Sequence, residues 1–500
     1  MAIEYRLYGI ALTLLYIIYA TIQFIRNKTR INNLAASFSA KPITKAAVTG
    51  RFGIWGFIDF ARAAQNERLV EIQHDQYRLY GTTFEQVFLG TTLLFTIDPE
   101  NIKAILATKF DDFGLGWSHS RALLRPQFNK TQIAGVNHRE LYVKRLIACI
   151  PQDGTTFDIQ DLFFRFTLDS ATKFFFGQST ESLLSVNEPN KDLAAKQKTD
   201  MSFADAFKES QDYLAARFRA QKLYWLIDTP GSRRANKIVH RFVDSCIQRA
   251  VDQQKFEASI SDESTTPDHT FLGELMKVTS DHKIIHDQLL NVLLAGRDTT
   301  ASLLSWTFYL LARDVRVWTK LRNEVIDAFG TADKPKADVS IEAQPDKQPS
   351  KIKILRLYPP VPSNVRTAVK DTVLPKGGGP DGQSPLFVPK GRDVVYMVWT
   401  LHRREDIWGP DAALFRPERW AESTPKFWTY LPFNGGPRIC LGQQYALSEA
   451  SYAIVRLLQH FVSLQPADQN IGDPDKHAAL TMAHARGVFV KVSPTKSRDD

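Results

Sequence analysis

"FNGGPRICLG", residues 433–442, places one of the chain's three cysteines in a stretch made almost entirely of turn-forming residues. Glycine and proline here disfavour a regular helix or strand, and Gly436 permits a tight reversal. From Gln443 to roughly His460 the apolar residues return at helical spacing, so a helix is expected directly behind the cysteine. Its positive end would face the Cys440 sulfur and lower the thiol pKa. A soft thiolate on a tight loop, ringed by backbone N–H groups, is the arrangement of a metal ligand. Cys149 and Cys246 lie in helical, apolar surroundings and read as inert packing thiols.

Three cysteines in 500 residues cannot form a disulfide framework, which places the main body in a reducing compartment. The net charge of +9 is modest and spread out. No Lys/Arg run stands beside an aromatic platform, so no nucleic-acid partner is expected; an anionic membrane surface suits the charge better. The N-terminus agrees. "LYGIALTLLYIIYATIQFI", residues 7–25, carries no charge and is just long enough as a helix to cross a bilayer core. Arg26, Lys28 and Arg30 follow immediately, which orients everything downstream towards the cytosol. The apolar run exceeds a usual signal-peptide core, and its main charge lies on the wrong side for cleavage. Residues 1–30 therefore read as an uncleaved anchor, and 31–500 as the main body.

Along that body, 85–108 reads as two short strands, a turn at Asp98-Pro99 and a helix. The segment 136–325 is mostly helical, with a polar loop near 257–269. Residues 331–351 are polar and broken by proline, and 374–391 forms a hairpin around a glycine-rich turn. The fold class is mainly α with a minor β region.

Phe433, Gly436, Arg438, Cys440 and Gly442 fill every fixed position of Phe-x-x-Gly-x-Arg-x-Cys-x-Gly, and in this the chain resembles the cytochrome P-450 superfamily. The resemblance implies the cytochrome P-450 fold behind one transmembrane helix, and haem b with the Cys440 thiolate as axial ligand. It also implies that Phe433 shields the sulfur, that Arg438 neutralises a propionate, and that Gly442 lets the next helix approach the porphyrin. A thiolate axial ligand biases the iron towards splitting the O–O bond. "LLNVLLAGRDTTASLLSWTFYLL", residues 289–311, is similar to the family's central helix. There Gly296 would open a groove for dioxygen, and Asp298 and Thr299 would help deliver protons. Taken alone, a mid-helix threonine more often bonds back to the carbonyl four residues earlier, here Ala295. Trp117 and Arg121, at i and i+4, match a helix that holds a propionate, and Arg366 in "VPSNVRTA" matches a strand position with the same task.

Two places depart from the pattern. "KIKILRLYPPVP", residues 351–362, keeps Arg356, but Lys353 replaces the glutamate of the family's Glu-x-x-Arg helix. With Arg419 of "FRPERW" this would gather three cations in one partly buried place, and the loss of one partner from a buried ion pair costs about 3–5 kcal/mol. Pro345 and Pro349 leave barely two helical turns before Tyr358. Near residues 116–117, a loop found in relatives is missing between Gly-Leu-Gly and Trp117. Both breaks read as clean excisions, made either in defining the gene or in the gene itself.

The segments 157–183 and 203–227 resemble the fungal branch that hydroxylates n-alkanes and fatty acids, although most of their aromatics suit plain core packing equally well. Arg217 and Arg219 are candidates to hold a substrate carboxylate. The resemblance implies a monooxygenase in the endoplasmic reticulum membrane, with NADPH-cytochrome P-450 reductase as electron donor and cytochrome b5 as a further candidate donor. No Gly-x-Gly-x-x-Gly fingerprint follows a strand, so the chain has no evident nicotinamide site of its own. Two alternatives stand beside it. One is a degenerate, membrane-anchored relative that binds haem poorly; the other is a haem-thiolate isomerase or dehydratase, against which Asp298-Thr299 argues.

Overall fold

The computed structural model describes residues 2–47, 51–114, 121, 124–128, 138–187, 201–259, 270–336, 353–422, 424–468 and 472–494. Helix α1 (Ala2–Ser37) leads the chain, and its apolar side chains from Ile10 to Ile25 are exposed. It runs past residue 30, where the sequence placed the end of the anchor. Its last turns reach the body: Arg30 pairs with Asp371 at 2.6 Å, and Phe38 stacks on Phe387.

Helices α2 (Ile54–Gln65) and α3 (Leu69–Tyr80) precede the hairpin of β1 (Thr83–Phe88) and β2 (Thr91–Thr96). Asp98 then caps α4 (Pro99–Lys103), accepting from the amides of Glu100 and Asn101 at 2.8 and 3.2 Å, with Pro99 pre-setting the first turn. This is the strand–strand–turn–helix order expected from sequence.

Next come β3 (Phe113–Gly114), α5 (His138–Ala148), β4 (Phe157–Asp158) and α6 (Ile159–Phe176). Then follow α7 (Phe203–Arg219), α8 (Pro230–Ser259), α9 (Phe271–Val278), α10 (His282–Arg313) and α11 (Val315–Phe329). Strands β5 (Ser363–Ala368), β6 (Thr372–Gly378), β7 (Ser384–Val388) and β8 (Asp393–Met397) include the expected glycine-turn hairpin, β6–β7. A five-stranded sheet has the order β1-β2-β8-β5-β3, with β2 and β8 parallel. Helix α12 (Gln443–His460) has the limits expected from sequence and leads into β9 (Phe461–Pro466), β10 (Lys476–Ala478), β11 (Met482–His484) and β12 (Phe489–Pro494).

Helix α10 is the spine. At 32 residues it spans about 48 Å, enough to thread two successive hydrophobic cores. Its N-terminal half packs with α6 to α9 through Leu289, Val292 and Leu293. Its C-terminal half enters the larger core through Leu303, Trp306 and Phe308, where Trp306 stacks on Tyr358 at 4.0 Å. Helix α6 is its main partner, with Phe163 against Phe308 at 5.1 Å.

Where α12 meets α5 and α6 lies a buried carboxyl, Glu449, which accepts from the Tyr445 hydroxyl at 3.3 Å. Arg139 donates to Ser448 at 3.0 Å and lies over the Tyr445 ring. Desolvation outweighs these partners and pushes the Glu449 carboxyl up to about 7. A carboxyl whose folded pKa is raised binds its proton more tightly when folded. Stability is therefore full below the unfolded value near 4.5, falls as pH rises to about 7, and stays lower beyond it. At about 1.4 kcal/mol per pKa unit, the loss is of order 3 kcal/mol. Glu449→Gln should flatten the decline of the thermal midpoint between pH 5 and 7; an unchanged slope would assign that decline to other groups.

Candidate active site

The cysteine loop is fixed by contacts that only glycine allows. Gly436 has a φ of +65°, and a Cβ there would collide with the Leu106 carbonyl oxygen. A Cβ on Gly435 would stand 2.8 Å from the Trp428 ring. Asn434, itself left-handed at φ +66°, accepts from Tyr396 on β8 at 3.1 Å. The loop is thus pinned to the residues after α4, to Trp428 and to the five-stranded sheet. Within it the Cys440 amide donates to the carbonyl of half-buried Phe433 at 2.9 Å.

Cys440 is accessible, yet desolvation is the largest influence on its thiol. The sulfur is exposed on one side, and that open side is the recess from which a ligand can approach it. Desolvation pushes the thiol up, while a hydrogen bond from the Gly442 amide and the charge of Arg121 pull it down. This differs from the expectation of a lowered pKa: in the polypeptide alone the Gly442 amide and Arg121 do not outweigh burial.

Three arginines converge beside the recess. Arg121 donates to the Ile439 carbonyl at 2.7 Å. Arg366, buried on β5, donates to its neighbour Val365 at 2.6 Å and lies over the Tyr396 ring. Arg438 lies over Phe110, and its Nη1 is buried without a partner. Burial lowers the Arg438 pKa first, and the charges of Arg366 and Arg121 lower it further. None of the three has a carboxylate partner among the described residues. Such a cluster favours an anion, and a porphyrin's two propionates fit. An accessible thiol and an acid-free arginine trio are the donor set haem requires. Trp117 lies outside the described residues.

On α10 the structure separates the expected oxygen-handling residues. A Cβ on Gly296 would meet Phe175 of α6 at 2.8 Å, so its glycine permits the close approach of the two helices. Phe175 in turn lies 6.3 Å from Phe128, whose ring faces Gly442. Thr299 donates its hydroxyl to the Ala295 carbonyl at 2.7 Å, the back-bond that a mid-helix threonine favours. Asp298 is buried and pairs with Arg297 at 3.0 Å. Desolvation raises its pKa, and Arg297 and Gln211 of α7 lower it. Arg297 in turn lies over Phe164 and Phe207 at 5.0 and 5.3 Å. Sequence reasoning missed this pair, although a charged dipeptide at the centre of an apolar helix was its signal.

The ion network behind the site also differs from expectation. Arg356 donates to the carbonyls of His402, Ala412 and Leu414 at 2.8, 2.5 and 3.1 Å. Arg419 finds its carboxylate in Asp411 at 2.7 Å and also donates to the Trp408 carbonyl. The backbone and Asp411 therefore take up the charge that the missing glutamate would have met. Burial still depresses the Arg356 pKa to about 9, helped by Arg419. His402 is neutral, its pKa pushed down to about 3 by burial, with Nδ1 at 3.1 Å from the Arg356 carbonyl and Nε2 accepting from the Leu431 amide.

Comparison with known proteins gives the same answer. The family model "Cytochrome P450" matches residues 116–491. The chain belongs to the cytochrome P450 family. It is 44% identical to cytochrome P450 52A3-A of Candida maltosa over 475 residues, covering 88% of this chain and 89% of the relative. With cytochrome P450 52A13 of Debaryomyces hansenii the identity is 44%, covering 82% and 83%. Cytochrome P450 52A9 of Candida maltosa is 40% identical, covering 96% and 98%. That last alignment spans 519 positions, more than the 500 residues of this chain, so the relative carries segments that are absent here. This cytochrome P450 is a haem-thiolate monooxygenase of the fungal alkane and fatty-acid hydroxylase branch. Replacing Cys440 by alanine should abolish the thiolate-type absorption of the reduced carbon-monoxide complex; retention of that band would overturn the ligand assignment.

Proposed function

We propose that the recess beside Cys440 binds long aliphatic chains, either alkanes or fatty acids, and positions a C–H bond for hydroxylation. NADPH-cytochrome P450 reductase supplies the electrons, with cytochrome b5 as a second donor, and the body lies on the cytosolic face of the endoplasmic reticulum. The carrying observation is the conjunction of an exposed Cys440 with three arginines that have no carboxylate partner among the described residues. Haem, when bound there, supplies the iron that activates dioxygen. Arg121, Arg366 and Arg438 would hold its propionates, and the Gly442 amide would support the sulfur. The outward-facing side chains of α1 support membrane attachment, as do exposed Trp55, Trp225 and Leu226 on the body.

Thr299 has its proton committed to Ala295, so its oxygen is left to accept a hydrogen bond from a protonated group in the recess. Asp298 can move a proton only after its pair with Arg297 opens. Thr299→Ala should preserve substrate-induced spectral shifts, divert NADPH oxidation into peroxide, and cost on the order of a hundredfold in coupled product formation. Full coupling in this variant would remove Thr299 from the mechanism.

An aliphatic recess gains about 0.8 kcal/mol for each methylene buried. Affinity should therefore climb with chain length, roughly threefold to fourfold per carbon, until the recess is full. Titrating alkanes and fatty acids of increasing length against the haem spectrum tests this. A flat series would count against an aliphatic substrate.

A further inference from the structure

The hairpin of β10 and β11 and helix α7 both rest on the central helix. The Met482 carbonyl, on β11, accepts from Ser302 and Trp306 of α10 at 2.6 and 3.2 Å. Just before these residues on α10, Arg297 lies over Phe207 of α7 at 5.3 Å. The same stretch holds Ala295, which is exposed, and Thr299, which is half-buried, whereas every residue from Thr300 to Ala312 is buried. Helix α7 and the hairpin therefore flank the part of α10 that is open to a ligand.

His477 of β10 ties these elements together. Its Nε2 stands 3.0 Å from Asp212 Oδ1 on α7, and its Nδ1 stands 3.0 Å from Glu67 Oε1 in the turn between α2 and α3. An ionised carboxylate only accepts, so a ring between two of them must donate from both nitrogens, which the imidazolium alone can do. Arg219, at the end of α7, donates to the Ala478 carbonyl at 3.2 Å and interacts with the same two acids. Two cations thus meet two carboxylates, and Arg219 is committed here rather than free for a substrate carboxylate. Lys476 alternates to the other face of the strand, fully buried against Glu71 and Asp473 at 2.6 and 2.5 Å. Glu67 is held at φ +56°, a left-handed backbone that residues other than glycine seldom adopt. Strain of this kind persists where the surroundings enforce it, and it gathers at clamps and switch regions.

We propose that His477 is a latch on the recess: its imidazolium joins the β10–β11 hairpin to α7 and to the α2–α3 turn, and ligands enter when this junction parts. The latch rests on the reading of the recess as the ligand site, but not on which ligand fills it. The His477 side chain is 39% exposed, so solvent can take its proton. Asp212 and Glu67 raise its pKa to about 9, against the opposing effect of burial. A ring released from both acids returns towards 6.5. The closed junction is therefore fully favoured below that value, weakens as pH rises to about 9, and changes no further beyond it. The charged groups that face the ring are Glu67 from the α2–α3 turn and Asp212 from α7, with Arg219 of α7 beside them.

The test uses the haem-loaded full chain in detergent, with 4-phenylimidazole as the probe. This compound ligates the iron itself, so its stopped-flow spectral change reads entry and exit whatever the substrate class. In the unmodified chain both rates should rise about tenfold or more between pH 7 and 9. His477→Gln should show the fast rates already at pH 7 with unchanged equilibrium affinity, because a gate alters passage in both directions alike. His477→Arg can still donate to both acids, so it should keep the slow rates and lose their pH dependence. Asp212→Asn opens the α7 arm alone and carries the same expectation as His477→Gln if that variant fails to fold. Unchanged probe rates in His477→Gln and Asp212→Asn, even with a lowered thermal midpoint, would reduce His477 to a structural tie and overturn the latch. Equal acceleration in His477→Arg and His477→Gln would overturn it as well. Gated probe kinetics together with a flat alkane and fatty-acid series would uphold the latch and reject the aliphatic substrate.

Discussion

The contact between Gly436 and the Leu106 carbonyl is the constraint on which the active site rests. No side chain fits between them, so the cysteine loop can close only with glycine at that position and with a left-handed backbone. Closure brings the Cys440 amide to the Phe433 carbonyl and sets the Gly442 amide towards the sulfur. It also starts α12 directly behind the thiol, and so places Tyr445 and Glu449 in the core between α5 and α6. A loosened loop would therefore affect the metal ligand and the helix packing together.

Charge imposes the second constraint. Arg121, Arg366 and Arg438 repel one another in a partly desolvated place, with no acid among the described residues to offset them. A protein tolerates such a cluster when the compensating anion arrives with a ligand, since uncompensated buried charge costs several kcal/mol. The arginines around Arg356 show the opposite solution. There the protein supplies compensation internally, through three carbonyls for Arg356 and Asp411 for Arg419. Two arginine clusters with different partners thus distinguish a site built for a cofactor from one built for the fold.

The central helix combines rigidity with a polar break. Its C-terminal half buries every side chain from Thr300 to Ala312, and Arg297 and Asp298 sit buried at the middle. They persist because each satisfies the other and the guanidinium also rests on two phenylalanine rings. Asp298 is thereby held away from Thr299, whose hydroxyl bonds within its own turn. The Arg297–Asp298 ion pair is a feature that the linear Ala-Gly-x-Asp-Thr pattern does not disclose.

The sequence by itself determined the ligand loop, the limits of α12, the order of strands and helices around Asp98, and the character of α1. All of these depend on local rules: glycine and proline positions, helical or alternating periodicity, and the length of an apolar run. Only the tertiary structure decided where charges find partners. That Asp411 would serve Arg419, that Gly296 faces Phe175, and that desolvation outweighs Arg121 and the Gly442 amide at Cys440 all depend on groups brought together from distant parts of the chain. The two helix faces that meet at His240 and His286 are 46 residues apart in sequence. Spacing along the chain assigns each histidine to a face of its own helix, but only packing decides which faces meet.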